Sequence, residues 1–261
     1  MSSGLCRSVS AATAALAVAL PAAAVAAPQV FRAAGPNPAT IQGTVDAFRN
    51  ALGTLNANEP GSRGSGRREI NWDGVPDELA DPNPFPPDFF NANVSGRARG
   101  VVFSTPGGSF LVSADSDNPT HTPVEFGRLN HGYPLQFSTF SPERLFSPVG
   151  SNITEVAFFI PGRARRAVSA GFGAVFTDVD RRRVTRIEYF DREGERLRTQ
   201  YVPPSPGAGT LSFAGVIFDR PVVWRVRITT GSSALGPRDA PGAGRDVVVM
   251  DDFIYGEPVR R

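Results

Sequence analysis

The chain contains no lysine, one cysteine, two histidines, two tryptophans and four tyrosines, and no apolar run long enough to cross a membrane. Each shortage removes a class of function. Cys6 precedes a short apolar run near the N-terminus and is expected to leave with it. The mature chain then has no disulfide, no thiolate nucleophile and no cysteine metal site. His121 and His131 lie in loop-like sequence without an H-E-x-x-H arrangement, and no G-x-S-x-G elbow accompanies them. Zinc hydrolysis and Ser-His catalysis are disfavoured accordingly. All 27 basic residues are arginine, but 25 acidic residues oppose them and the formal charge is only +2. Basic clusters at Arg67-Arg68, Arg163 to Arg166 and Arg181 to Arg183 read as solvated loops or salt-bridge partners, and nucleic acid is not an expected ligand.

What is present begins with an export signal. Arg7 supplies a positive start, Ala11 to Leu20 an apolar core, and Ala24-Val25-Ala26 a small-x-small cleavage site. Residues 1–26 are read as a signal peptide, 27–66 as a lead segment, 67–258 as one β domain and 259–261 as a tail. The expected location is secreted, periplasmic or extracellular, and the oligomeric state is open.

Residues 28–36 look like a flexible lead. Asn37 is placed to cap a short helix with Pro38 at its first position; Ile41, Val45, Phe48, Leu52 and Leu55 recur at helical spacing, with Gly53 near the end. Its apolar stripe is expected against the outside or end of the sandwich. RREINW (67–72) reads as the first strand of the domain, ended by Asp73-Gly74. The proline-rich stretch 75–88 cannot be helix or strand interior and reads as an excursion draped over the domain on Phe85, Phe89 and Phe90. From Arg99 onward short strands follow one another, at 100–104, 109–113, 124–126, 135–140, 153–160, 172–178, 184–191, 196–202, 211–218 and 222–230. Trp224 reads as core. About a dozen short strands with regular turns and no helices between them predict an all-β, two-sheet antiparallel jelly-roll sandwich with one short N-terminal helix. A meander barrel is the other possibility.

The last predicted strand, DVVVMDDFIYGEP (246–258), is apolar on both faces, as an interior strand is. Simple alternation puts Val247, Val249, Asp251, Phe253 and Tyr255 on one side and Val248, Met250, Asp252 and Ile254 on the other. Two adjacent carboxylates there need compensation by a cation, by an arginine, or by a bulge that turns one outward. If the first and last strands adjoin, as they commonly do in jelly rolls, Glu69, Asn71 and Asp73 approach Asp251 and Asp252, and four carboxylates and an amide form an oxygen-rich site suited to a structural calcium ion. The competing account is an arginine network with Arg67 or Arg68. Asp178 and Asp180, two apart in FTDVD, are a second metal candidate, with Arg181 to Arg183 as the simpler counter-charge.

Trp72, Tyr133 and Tyr255 are the aromatics best placed to stack on a sugar. Glu155, Glu188, Asp178 and Asp180 are the carboxylates available for glycosidase chemistry; Glu188 reads equally as a surface partner of Arg186. The GSRGSG loop (61–66) follows no strand and opens no helix, so it is weak as a phosphate motif.

Several phrases occur together: GRREINWDGVP (66–76), DFFN (88–91), FSTPG (103–107), LFSPVGSN (145–152), GFGAVFTDVD (171–180) and VVVMDDFIYGEP (247–258). Over residues 45–258 the chain resembles a group of secreted bacterial β-sandwich proteins of unknown function, some with a C-terminal exosortase sorting tail. The resemblance implies a jelly-roll domain and no particular activity. The sequence shows no apolar tail before Arg261, so sorting by that route is not expected. An acidic first strand with aspartates in the last is also similar, more distantly, to the calcium sites of carbohydrate-binding modules. The leading expectation is a secreted, non-catalytic domain, stabilised by calcium and binding carbohydrate or a cell-surface glycan. A carboxylate-based polysaccharide-degrading enzyme and an extracellular matrix or adhesion protein are the alternatives.

Overall fold

The computed structural model describes Met1, Gly4, 26–237 and 244–260. Most of the segment read as a signal peptide, with Cys6 and Arg7, together with residues 238–243 and Arg261, lies outside the described residues. Two antiparallel sheets form the body, as the strand pattern predicts. In chain order the elements are β1 (Gln29–Gly35), α1 (Pro38–Leu52), β2 (Arg67–Ile70), β3 (Val101–Ser104), β4 (Ser109–Val112), α2 (Tyr133–Gln136), β5 (Phe146–Val149), β6 (Ile153–Phe158), β7 (Gly171–Thr177), β8 (Arg186–Phe190), β9 (Arg196–Tyr201), β10 (Leu211–Ile217), β11 (Arg225–Thr229) and β12 (Val249–Gly256). One sheet runs β1-β10-β7-β12-β5-β4, with β2 sharing the flank of β12 that β5 occupies further along; the other runs β3-β6-β11-β8-β9.

The main core fills the gap between the sheets. Trp72 is its centre: the indole stacks on Phe146 at 4.0 Å and 4°, and Phe85, Phe90, Phe103 and Phe253 pack around it. The first sheet is buried on its outer face as well. There α1 docks Ile41, Val45, Phe48 and Leu52 on Val175, Leu211, Phe213, Ile217 and Ile254. The cap reads as its sequence suggests, with Asn37 Oδ1 accepting from the Thr40 amide at 3.2 Å and Gly53, at φ 97°, closing the last turn. Leu55, counted in the stripe by spacing, lies beyond the helix and is half-exposed. The Phe48 ring lies over Gly173 and Gly215, which face each other across β7 and β10. A Cβ on either would come within 2.9 Å or 2.7 Å of that ring.

Four expectations change. Residues 29–35 are not a lead but an edge strand, paired with β10 from Gln29↔Ile217 to Gly35↔Leu211. Residues 124–126 and 135–140 are not strands. The first lies in turns, with Glu125 and Phe126 at positive φ, and the second holds the end of α2 and an extended segment that crosses the outer face. A strand at 146–149 was concealed by Pro148, which sits opposite Phe110. Trp224 is only half-buried, outside the core, with the Arg166 guanidinium 4.1 Å above its ring.

The proline-rich stretch closes the seam where β3 and β4 leave both sheets with an open edge. The Phe85 amide donates to Phe110 O at 2.8 Å, and Pro87 O accepts from the Phe103 amide at 2.9 Å. Bonding both edges removes a template for aggregation.

Candidate functional site

The closing strand β12 carries a bulge between Met250 and Phe253. Met250 faces Phe176 and Phe253 faces Ala174, so Asp251 and Asp252 together oppose the single residue Val175. The alternation therefore shifts by one residue. Met250, Phe253 and Tyr255 enter the inter-sheet core, while Val249 and Ile254 pack on the outer side. The simple two-face reading is corrected here: Phe253 and Tyr255 do not share the face of Val249. Trp72 Nε1 donates to the bulged Asp251 carbonyl at 2.8 Å and fixes the distortion.

Pairing of β2 with β12, Glu69 opposite Ile254, brings the expected acidic residues to one place. What meets them is protein. Arg49, from the last turn of α1, puts Nη2 2.9 Å from Asp252 Oδ2 and 3.0 Å from Glu69 Oε2. Arg67 Nε adds a second contact to Glu69 at 2.6 Å. Ser141 Oγ donates to Asp252 Oδ1 at 2.8 Å and lies 3.3 Å from Asp251 Oδ1. Asp251 Oδ2 accepts from the Phe140 amide, and Asp73 Oδ1 from the Arg144 amide at 3.2 Å.

Burial sets the protonation of this group. Asp251 is wholly buried beside Asp252, and both effects raise its pKa well above the usual range. Asp252 is pushed up to about 6 by burial, with Ser141 and then Arg49 pulling the other way. Burial also raises Asp73 against the bonds it accepts from the Arg144 and Glu143 amides. For Arg49, burial works against the charge, but Glu69 and then Asp252 outweigh it and raise its pKa. Among the described residues no three His, Cys, Asp or Glu side chains converge so as to hold a metal ion. Arg49 standing between Glu69 and Asp252 makes an ion-pair network of these residues.

Over this network lies an open polar cavity of about 290 Å³. Arg49, Glu69 and Asp252 form its floor, with Arg99, Asn58 and Ser141 around them; Leu55 is its one apolar wall. Arg99 Nη1 donates to Glu69 O at 2.8 Å, and its guanidinium lies 4.7 Å from the Phe90 ring centre. Burial lowers the Arg99 pKa, and no carboxylate pairs with it among the described residues. Asn58 Oδ1 is buried without a hydrogen-bond partner in the structure.

The other predicted site residues are placed differently. Trp72, Tyr133 and Tyr255 are fully buried, so none offers a face to a sugar. The reason is polar anchoring: the Tyr255 hydroxyl donates to Arg99 O at 2.9 Å and the Tyr133 hydroxyl to Gly236 O at 2.7 Å. Asp178 adopts φ 66°, so the strand ends there and Asp178 and Asp180 do not share a strand face. Asp178 accepts from Gln136, and Asp180 Oδ1 from the Gly207 amide at 3.1 Å. Glu155 and Glu188 stand on the outer face of the second sheet, each between two arginines, Arg225 with Arg227 and Arg186 with Arg196. They line no shared cleft with the polar cavity. Arg49, Asn58, Arg99 and Ser141 were not singled out by sequence. Their types are ordinary, and each comes from a different segment.

Comparison with protein-family models, with curated proteins and with solved structures finds no match to this chain.

Proposed function

We propose that the chain is a secreted, non-catalytic binding domain whose polar cavity takes one unit of a glycan. The observation that carries this is the composition of the cavity. Seven polar side chains, of four chemical kinds, line a space of about 290 Å³. Sugar hydroxyls both donate and accept, so they suit a wall that alternates guanidinium, carboxylate, amide and hydroxyl. The floor is fixed by ion pairs before any ligand arrives, which lowers the ordering cost of binding. Export rests on the N-terminal sequence pattern, and Arg49 supplies a counter-charge to the network.

The test is titration by NMR or calorimetry with a panel of neutral and amino monosaccharides and short oligosaccharides. Asn58→Ala and Arg99→Ala should each lower affinity about tenfold while leaving the fold intact, in keeping with a lost ligand hydrogen bond. If the wild type binds none of the panel, the reading fails.

A carboxylate-based hydrolase is the second reading, because Asp252 is raised to about 6 beside Glu69. Two carboxylates sharing one guanidinium nitrogen lie within about 6 Å of each other, near the spacing of retaining glycosidases. Arg49 stands between them, however, where the scissile oxygen would have to sit. Release of reducing ends from a polysaccharide panel, lost in Asp252→Asn, would decide for the enzyme.

A further inference from the structure

The loop that supplies Asn58 to the polar cavity also borders a second, larger cleft of about 850 Å³. Its walls are Gly61, Ser62 and Gly64 on one side and Arg163, Arg165 and Arg260 on the other. Among the described residues no carboxylate lines it. All three arginine side chains are exposed, and none forms an ion pair among the described residues. In this they differ from Arg67 and Arg68, which are paired with Glu69 and Glu257.

The backbones that present these groups are knitted together. The Gly61 amide donates to Pro161 O at 2.8 Å, Ile160 N to Arg165 O at 2.8 Å, and Val259 pairs with Val168. Beneath the loop, Glu257 accepts from the Arg63 amide at 2.9 Å. Gly61 and Gly64 lie at φ 94° and 82°, and a Cβ on either would meet open space. The glycines are therefore required by backbone conformation, and they leave a bare main-chain wall that a ligand can approach closely. Three like charges around one cleft, with no counter-charge among the described residues, repel one another and attract an anion. Guanidinium forks match the geometry of a tetrahedral oxyanion, and the exposed Ser62 hydroxyl adds a neutral donor.

We propose that this cleft binds a tetrahedral oxyanion, a phosphate or sulfate ester, carried by an extracellular polysaccharide. Only the identity of the carrier rests on the glycan reading; the oxyanion site stands on the arginines and the glycine loop. One loop borders both cavities, so an esterified sugar chain would place a neutral unit in one and its charged substituent in the other.

The experiment uses the mature chain and four probes: inorganic phosphate, inorganic sulfate, a sulfated polysaccharide and a phosphorylated one, with neutral dextran as the control. Calorimetry or NMR should show binding of at least one charged polymer and none of dextran at this cleft. Affinity should fall at least tenfold between about 20 and 200 mM salt, as screening demands. The double variant Arg163→Ala/Arg165→Ala should lose at least tenfold. Ser62→Glu, which adds a repelling charge at an exposed position, should do the same, whereas Arg186→Ala on the outer sheet face should not. The two inorganic ions and two polymers tell phosphate from sulfate. Wild-type affinity retained in both cleft variants, or no binding of any charged probe, overturns the proposal. Because Asn58→Ala leaves the arginines untouched, loss of neutral-sugar binding there with intact oxyanion binding would separate the two sites.

Discussion

Arg68 and Glu257 form a buried, two-pronged ion pair: Nε lies 2.7 Å from Oε2 and Nη2 3.0 Å from Oε1, and neither side chain reaches solvent. Each remaining polar atom is used. Arg68 Nη1 donates to Ala98 O and Nη2 to Gly61 O, while Glu257 accepts from Asn56 Nδ2 and the Arg63 amide. The pair thus ties β2 and the end of β12 to the 56–63 loop, which borders both cavities. Breaking such a pair leaves one uncompensated buried charge. Glu257→Gln and Arg68→Met are each expected to cost about 3–5 kcal/mol, and Arg68→Met/Glu257→Leu less than either alone. Urea unfolding of the three variants checks this. Equal and small losses would mean that the loop is held by something else.

Arg49 is the counter-charge for the acidic group in β2 and β12. Arg49→Met should lower stability by about 1–3 kcal/mol at pH 8. The loss should shrink at pH 5, where Asp252, at about 6, takes up a proton and no longer needs a cation. Chelator should leave the wild-type melting curve unchanged. A melt that drops with chelator and recovers with calcium would put an ion in place of the arginine as the partner of these carboxylates.

The raised acids fix the sign of the pH dependence. Asp252 moves from an ordinary 3.8 to about 6, Glu125 from 4.5 to about 7, both by burial, and Asp251 moves in the same direction. In each the folded state holds its proton more tightly than the unfolded chain. Folding takes up protons between the unfolded and folded values, so this contribution is fully present below pH ~4 and is lost as pH rises towards ~7. Melting temperature should be higher at pH 5 than at pH 8. A melting temperature that rises steadily across that range would contradict the burial of these carboxyls.

Gly215 faces the Phe48 ring with no room for a methyl group, the nearest ring atom being 2.7 Å from a built Cβ. Gly215→Ala is expected to cost about 1–3 kcal/mol through overpacking. Phe48→Leu in the same chain should recover part of the loss. Thermal unfolding of the single and double variants measures the coupling, and additive losses would show that the ring and the glycine do not constrain each other.

Local chemistry written in single segments was legible without coordinates. Asn37-Pro38 starts α1 and Gly53 ends it because capping depends on adjacent residues. The adjoining of β2 and β12 was also foreseeable, because the first and last strands of a jelly roll commonly lie side by side. The bulge at Asp251-Asp252 was not. It is set by Val175 on another strand and by an indole 179 residues away in sequence, and it decides which way every later side chain of β12 points. The aromatics misled for a related reason: a turn position predicts exposure, but a hydroxyl or indole that finds a backbone carbonyl can be buried anywhere.

By itself, then, the sequence determined what depends on neighbours along the chain: an apolar N-terminal segment, a capped amphipathic helix, and about a dozen strands too short and too regularly broken for anything but a sandwich or barrel. Tertiary structure alone decided which charges meet. Arg49 reaches Asp252 across 203 positions, and Arg163 and Arg260 come to share one cleft. Coulomb energy and burial depend on separation in space and on excluded water, and neither quantity is written in the order of residues.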